Sequence, residues 1–177
     1  MLGQLKELEG RWQLRFTRKL PHPPEKVWRA LVEPEHLEAW FPTTMEGDRA
    51  EGAHLKFSFR EDEAPPMHGE MITYQPHSVL ELKWGEDILR FELEPDEGGC
   101  VLTLLDTFDE LGRAARDAAG WHVCLDSLAT HLDGEDPLDD EGSAWNEVHA
   151  RYVEVLGPEA ATIGPPKEFL DKAKPST

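Results

Sequence analysis

No apolar run in this chain approaches the roughly 18 residues that a membrane span requires. Positive charge is also scarce: 18 Lys+Arg stand against 36 Asp+Glu, a formal net charge of −18. Such a surface repels phosphate backbones and anionic lipids, so neither nucleic acid nor a membrane is an expected partner. Cysteine is nearly missing. Cys100 and Cys124 lie far apart, without C-x-x-C spacing, and read as reduced, mostly buried thiols. The eight histidines contain no H-E-x-x-H or comparable set, so no metal is expected. There is no glycine-rich phosphate loop and no G-x-S-x-G, and Ser58, Ser78 and Ser127 lack a neighbouring His-and-acid pattern. No cofactor and no nucleophilic catalysis are therefore expected. The stretch MLGQLKELEGRW carries no apolar secretory segment, which points to a soluble, cytoplasmic protein.

What is present is enough for a core. Of 177 residues 39% are apolar, with six Trp and seven Phe, which suits one domain with an extension and argues against disorder. Trp12, Leu14 and Phe16 alternate with polar residues as a half-buried strand does. Ahead of it, Glu9-Gly10 suits a hairpin turn, which makes residues 2–8 an added strand; a short helix there is the competing reading. PPEKVWRALVEP and PEHLEAWF follow as two short helices joined at Pro34, a bracket rather than a layer. From about 44 to 108 the pattern changes to short strands with close turns: 54–60, HGEMITY, VLELKWG, DILRFELEP and CVLTLLDTF. Strands so closely spaced pair antiparallel, because there is no room for crossover helices.

Next comes the longest periodic stretch, Gly112 to Gly134. Ala114, Ala118, Trp121, Leu125, Leu128 and Leu132 recur every three or four residues and form one apolar stripe. Arg113, Arg116, Asp117, Asp126, Thr130 and Asp133 fall on the other sides, and Gly134 suits the end of a helix spanning 113–133. Fully burying a Leu or Trp side chain is worth roughly 1.5–3 kcal/mol, and only the upstream sheet is large enough to cover such a stripe. The expected architecture is α+β, a curved antiparallel sheet wrapped around this helix, over residues 1–134. Residues 135–177 form a C-terminal extension, with an acidic linker, a helix at about 143–156 with Ser143 as its cap, and a proline-containing tail on the surface.

PPEKVWRALVEPEHLEAWF, the GEM…Y and LELKW strands and GWHVCLDSLATHL together resemble the heat-shock-protein ATPase activator-like family of the START-like (SRPBCC, helix-grip) superfamily, over roughly residues 11–134. The resemblance implies the helix-grip fold and, between sheet and helix, a ligand cavity. Relatives bind lipids, hormones and polyketides, and some catalyse cyclisation or hydration. The family's name comes from a eukaryotic co-chaperone.

Three functions follow as expectations. The first is binding of a small hydrophobic or amphipathic molecule between sheet and helix. Ala114 and Ala118 leave volume there, and Trp40, Phe57, Trp84, Phe91, Trp121 and Leu125 are candidates to line it. Asp106 shares strand parity with Leu102 and Leu104, which points its carboxylate inward, where desolvation would raise its pKa; the competing reading leaves it solvated near the strand end or capping the turn before the helix. His68 and Glu70 share a strand face as candidate groups at the mouth. His122 and Asp126 read as an exposed helical pair. The second function is a chaperone-regulator type of protein-interaction module, acting on a protein partner or as a homodimer through the outer sheet face or the acidic linker. The third is a small-molecule enzyme of cyclase or hydratase type that uses Asp106 as acid or base.

Overall fold

The computed structural model describes residues 1–60, 64–136 and 141–164. Seven strands form one antiparallel sheet: β1 (Gln4–Leu8), β2 (Arg11–Leu20), β3 (His54–Phe57), β4 (Met67–Gln75), β5 (Val79–Trp84), β6 (Asp87–Asp96) and β7 (Gly99–Phe108). Their spatial order is β1-β2-β7-β6-β5-β4-β3. Helices α1 (Pro24–Val32) and α2 (Pro34–Trp40) form the bracket after β2, and a 3-10 turn (Leu111–Arg113) leads into the long helix α3 (Ala114–Leu132). This is the mixed α+β helix-grip arrangement that the alternation and the stripe imply.

The hairpins are set by local chemistry. Glu9 and Gly10 both take positive φ, 49° and 83°, as a two-residue turn matched to strand twist requires, and β1 is a strand rather than a helix. Gly69 in β4 has a different reason: a Cβ there would lie 1.7 Å from the Lys83 carbonyl oxygen, and β4 shifts register just beyond, between Met71 and Thr73.

Strand register shows how the concave face is filled. Leu14, Asp106, Leu89, Leu82 and Met71 form one cross-strand row, so a single carboxylate is embedded among four apolar side chains. The helical stripe Ala114, Ala118, Trp121, Leu125, Leu128 and Leu132 is buried against this face, and Gly134 follows with φ 74°. The middle of the grip is solid, with Phe57, Leu82, Leu89, Phe91, Leu104, Leu125 and Leu128 each at most 2% exposed.

Ala115, Ala119 and His122 are also buried, on a second side of α3. Helix α4 (Glu141–Leu156) packs there, with Trp145 against Gly120 and with Tyr152 fully buried. The reading of His122–Asp126 as an exposed pair is thus corrected, because α4 covers His122. The Tyr152 hydroxyl accepts from the Gly3 N–H at 2.7 Å and meets His122 Nδ1 at 2.9 Å. Arg18 Nη2, which can only donate, also approaches Nδ1, at 3.4 Å. Nδ1 is therefore the acceptor and His122 is neutral, its proton on Nε2 toward Asp126, 3.7 Å away. Burial holds its pKa below the ordinary histidine value.

Helix α4 starts at Glu141, two residues earlier than expected. The side chain of Ser143 and residues 137–140 of the acidic linker lie outside the described residues. A short 3-10 turn (Pro158–Ala161) then returns to the start of α3, where the Ile163 N–H donates to the Gly112 carbonyl at 3.0 Å. Among the described residues no helix is long and apolar enough to cross a membrane.

Candidate functional site

At one end of the grip the packing opens into a cleft of about 1040 Å³. Its walls are the end of α2 and the residues after it, the β5–β6 turn, and the N-terminal two thirds of α3, with Trp145 of α4 at one side. Its floor is aromatic. Trp84 and Trp121 lie 5.4 Å apart between ring centroids, and Phe41 is 5.8 Å from Trp121 and 6.0 Å from Trp84. Each indole is tethered: Trp40 Nε1 donates to the Ala30 carbonyl at 2.8 Å, Trp84 Nε1 to Thr43 Oγ1 at 3.2 Å, and Trp121 Nε1 to Asp106 Oδ2 at 3.1 Å.

The polar end of the cleft comes from three elements. The β5–β6 turn reverses at Gly85-Glu86, with Gly85 at φ 65°, which places Asp87 on the inward parity of β6 beside Leu89 and Phe91. Arg113 ends the 3-10 turn with its guanidinium 5.2 Å from the Phe108 ring centroid. Asp117 lies one helical turn further, where an acidic side chain also complements the helix N-terminus. Arg113 Nη2 donates to Asp87 Oδ2, and its Nε forms an ion pair with Asp117 Oδ2 at 2.8 Å that is not aligned as a hydrogen bond. Arg116 Nε meets Asp117 Oδ1 at 3.3 Å.

Asp106 lies beneath this cluster, 1% exposed, and its Oδ1 has no hydrogen-bond partner. Burial, reinforced by the charges of Asp87 and Asp117, raises its pKa well above the usual carboxylate range. Burial also raises Asp87 and Asp117, with Arg113 opposing it in both.

The structure separates the nine expected site residues. Trp40, Trp84 and Trp121 line the cleft, with His68 at its edge. Asp106 is inward, as parity implies, but holds Trp121 from below and is not part of the lining. Phe57, Phe91 and Leu125 are core residues that fill the middle of the grip. Glu70 is exposed opposite His54 and does not reach the cleft. The residues that the sequence did not mark for the site are Arg113 and Asp117, placed on the sides of the helix away from its apolar stripe, and Asp87 and Trp145. The one available signal was parity: Asp87 precedes Leu89 and Phe91 by two and four positions. A second groove of about 1180 Å³, between α1–α2 and residues 43–49, holds none of the nine.

The profile of the family described as Activator of Hsp90 ATPase homolog 1-like protein matches residues 21–133. The chain belongs to that family. The match runs from just before α1 to the end of α3, so it takes in the aromatic floor and Asp87, Asp106, Arg113 and Asp117, and it stops short of α4 and Trp145. Among solved structures of similar fold, a conserved protein of unknown function from Enterococcus faecalis is 18% identical with a TM-score of 0.73, covering 87% of this chain and 90% of that one. CalU16 from Micromonospora echinospora is 19% identical with a TM-score of 0.70, covering 87% and 95%. DynU16, from the dynemicin biosynthetic locus, is 22% identical with a TM-score of 0.62, covering 71% of this chain and 48% of that one. At these identities the likeness establishes fold. No curated protein matches the sequence.

Proposed function

We propose that this family member binds a small hydrophobic or amphipathic molecule in the cleft at the end of the grip. The observation that carries this reading is the tethered aromatic floor of an open cleft of about 1040 Å³ with a charged cluster at one end. Sites for small ligands are built in this way, as apolar walls with a few fixed polar groups, in volumes of about 300–1,000 Å³. The tethers hold the indoles in place before a ligand arrives, so little side-chain entropy is lost on binding. An apolar body would lie on Phe41, Trp84 and Trp121, with its polar end toward Asp87, Arg113 and Asp117. DynU16, from an antibiotic biosynthetic locus, gives the reading a chemical neighbourhood of small organic molecules.

The alternatives have less support. The exposed large apolar residues among those described, Met1, Leu8, Ile72 and Val155, are scattered single positions and not the contiguous patch that marks a docking face. Catalysis by Asp106 would require it to reach a reacting atom, and it sits under Trp121 outside the cleft lining.

Native mass spectrometry of protein purified from its own host tests the reading, together with thermal shift against a library of lipophilic compounds. A co-purifying small molecule is expected, or a stabilising compound whose effect is lost in Trp121→Ala. A clean apo mass with no shift across the library would overturn it.

A further inference from the structure

We propose that Asp87, Asp106 and Asp117 bind a hard divalent cation, of the Ca²⁺ or Mg²⁺ type, at the inner end of the cleft. One carboxylate oxygen from each residue lies within 4.8 Å of the others. Two oxygens bound to one Ca²⁺ at about 2.4 Å can be no more than twice that distance apart, so every pair in the set is within reach of one ion, and three at the full separation would close on it by a few tenths of an ångström. All three ligands are carboxylates, which suits hard cations rather than Zn²⁺ or copper.

A second observation points the same way. Asp106 Oδ1 is fully buried without a partner, whereas the great majority of buried polar atoms are hydrogen-bonded. Trp121 satisfies only Oδ2. Asp87 and Asp117 bring two more carboxylates to the same cluster, whose charges act on Asp106 along with the opposing charge of Arg113. Arg113 binds Asp87 and Asp117 but makes no hydrogen bond or ion pair to Asp106, and Arg116 contacts Asp117 alone. A divalent ion would engage the orphan oxygen and offset the repulsion among the three carboxylates. Asp87 and Asp117 line the cleft, so the ion has a path inward and water can complete its coordination. The three ligands come from β6, β7 and α3, which is why no sequence spacing marks them. The inference does not depend on the cleft taking an organic ligand.

Tb³⁺, a luminescent stand-in for Ca²⁺, tests it on the intact protein. With the Trp121 indole 3.1 Å from Asp106 Oδ2, indole excitation should sensitise Tb³⁺ emission. Emission is expected to saturate at one equivalent and to be displaced by Ca²⁺ or Mg²⁺, and the relative displacement assigns the preferred ion. Disturbing even the groups that support metal ligands costs 10–100-fold in affinity, so Asp106→Asn and Asp117→Asn should each weaken binding by at least about tenfold. Asp106→Asn keeps an oxygen acceptor for Trp121. Asp117→Asn, at the cleft side, is the second variant should the first fail to fold, with circular dichroism reporting folding. Absent emission at millimolar Tb³⁺, failure of both Ca²⁺ and Mg²⁺ to displace it, or unchanged affinity in the folded variants would overturn the proposal.

Discussion

Removing one oxygen atom, in Tyr152→Phe, measures how firmly the C-terminal helix is held. The Tyr152 hydroxyl accepts from the Gly3 N–H at 2.7 Å and donates to His122 Nδ1 at 2.9 Å, and the side chain is 0% exposed. Phenylalanine fits the same space, so the ring's packing is preserved. What changes is that a buried N–H and a largely buried ring nitrogen lose their shared partner. Leaving a buried donor or acceptor unsatisfied costs about 1–3 kcal/mol, and Arg18, already near Nδ1, offsets part of the loss at His122. The expected destabilisation is therefore about 1–3 kcal/mol, out of a typical total of about 5–15 kcal/mol. In a chain of this size that lowers Tm by roughly 2–4 °C for each kcal/mol. Tyr152→Ala, which also removes the ring, should lose about 3–5 kcal/mol. Urea unfolding followed by circular dichroism reads both, with a lower midpoint at unchanged slope for the Phe variant. A Tyr152→Phe change within about 0.5 kcal/mol of wild type, the range of ordinary surface substitutions, would refute the reasoning that this hydroxyl ties α4 to the domain.

Three further outcomes are expected. In chelator, Asp106→Asn should be more stable than wild type at neutral pH, because a carboxyl with a raised folded pKa loses stability as pH rises from its unfolded value, about 3.9, toward the folded one; Tm against pH should show the gap closing below about pH 4, and a more stable wild type at pH 8 refutes it. Burial lowers the pKa of His122, His131 and His149, so their contribution to stability is present above the unfolded value, about 6.5, and is lost as pH falls through it toward the folded values; the loss in urea midpoint between pH 7.5 and 5.5 should be smaller in His122→Gln than in wild type. Gly69→Ala should cost about 1–3 kcal/mol, since the added carbon would sit 1.7 Å from the Lys83 carbonyl oxygen and β4 or β5 must move; an unchanged urea midpoint would contradict this.

The elements were legible because each is written in local periodicity. Period-2 alternation marks β2 and β5–β7, and the stripe from Ala114 to Leu132 marks the face of α3 that the sheet covers. Asp106 was placed by the same parity. The polar cluster was not legible, because its members become neighbours only through tertiary structure. Arg113 and Asp117 look like solvated residues on a helix whose apolar side is elsewhere, and it is the β5–β6 turn that brings Asp87 to them. His122 was misplaced for a related reason: α3 is covered on two sides, and the second cover is a helix that follows a linker. Phe57, Phe91 and Leu125 have the composition of a pocket wall, and composition cannot distinguish a ring that lines a cleft from one that fills a core.

The contact between Gly112 and Ile163 has a practical consequence. The family-matched segment ends at residue 133, and a polypeptide cut there would keep every strand and the whole of α3. It would also bare Ala115, Ala119 and His122, strip Trp145 from the mouth, and release the turn immediately before Arg113. Chimeras that graft this core onto shorter relatives should therefore carry residues through at least 163, or they will inherit the scaffold with an altered doorway.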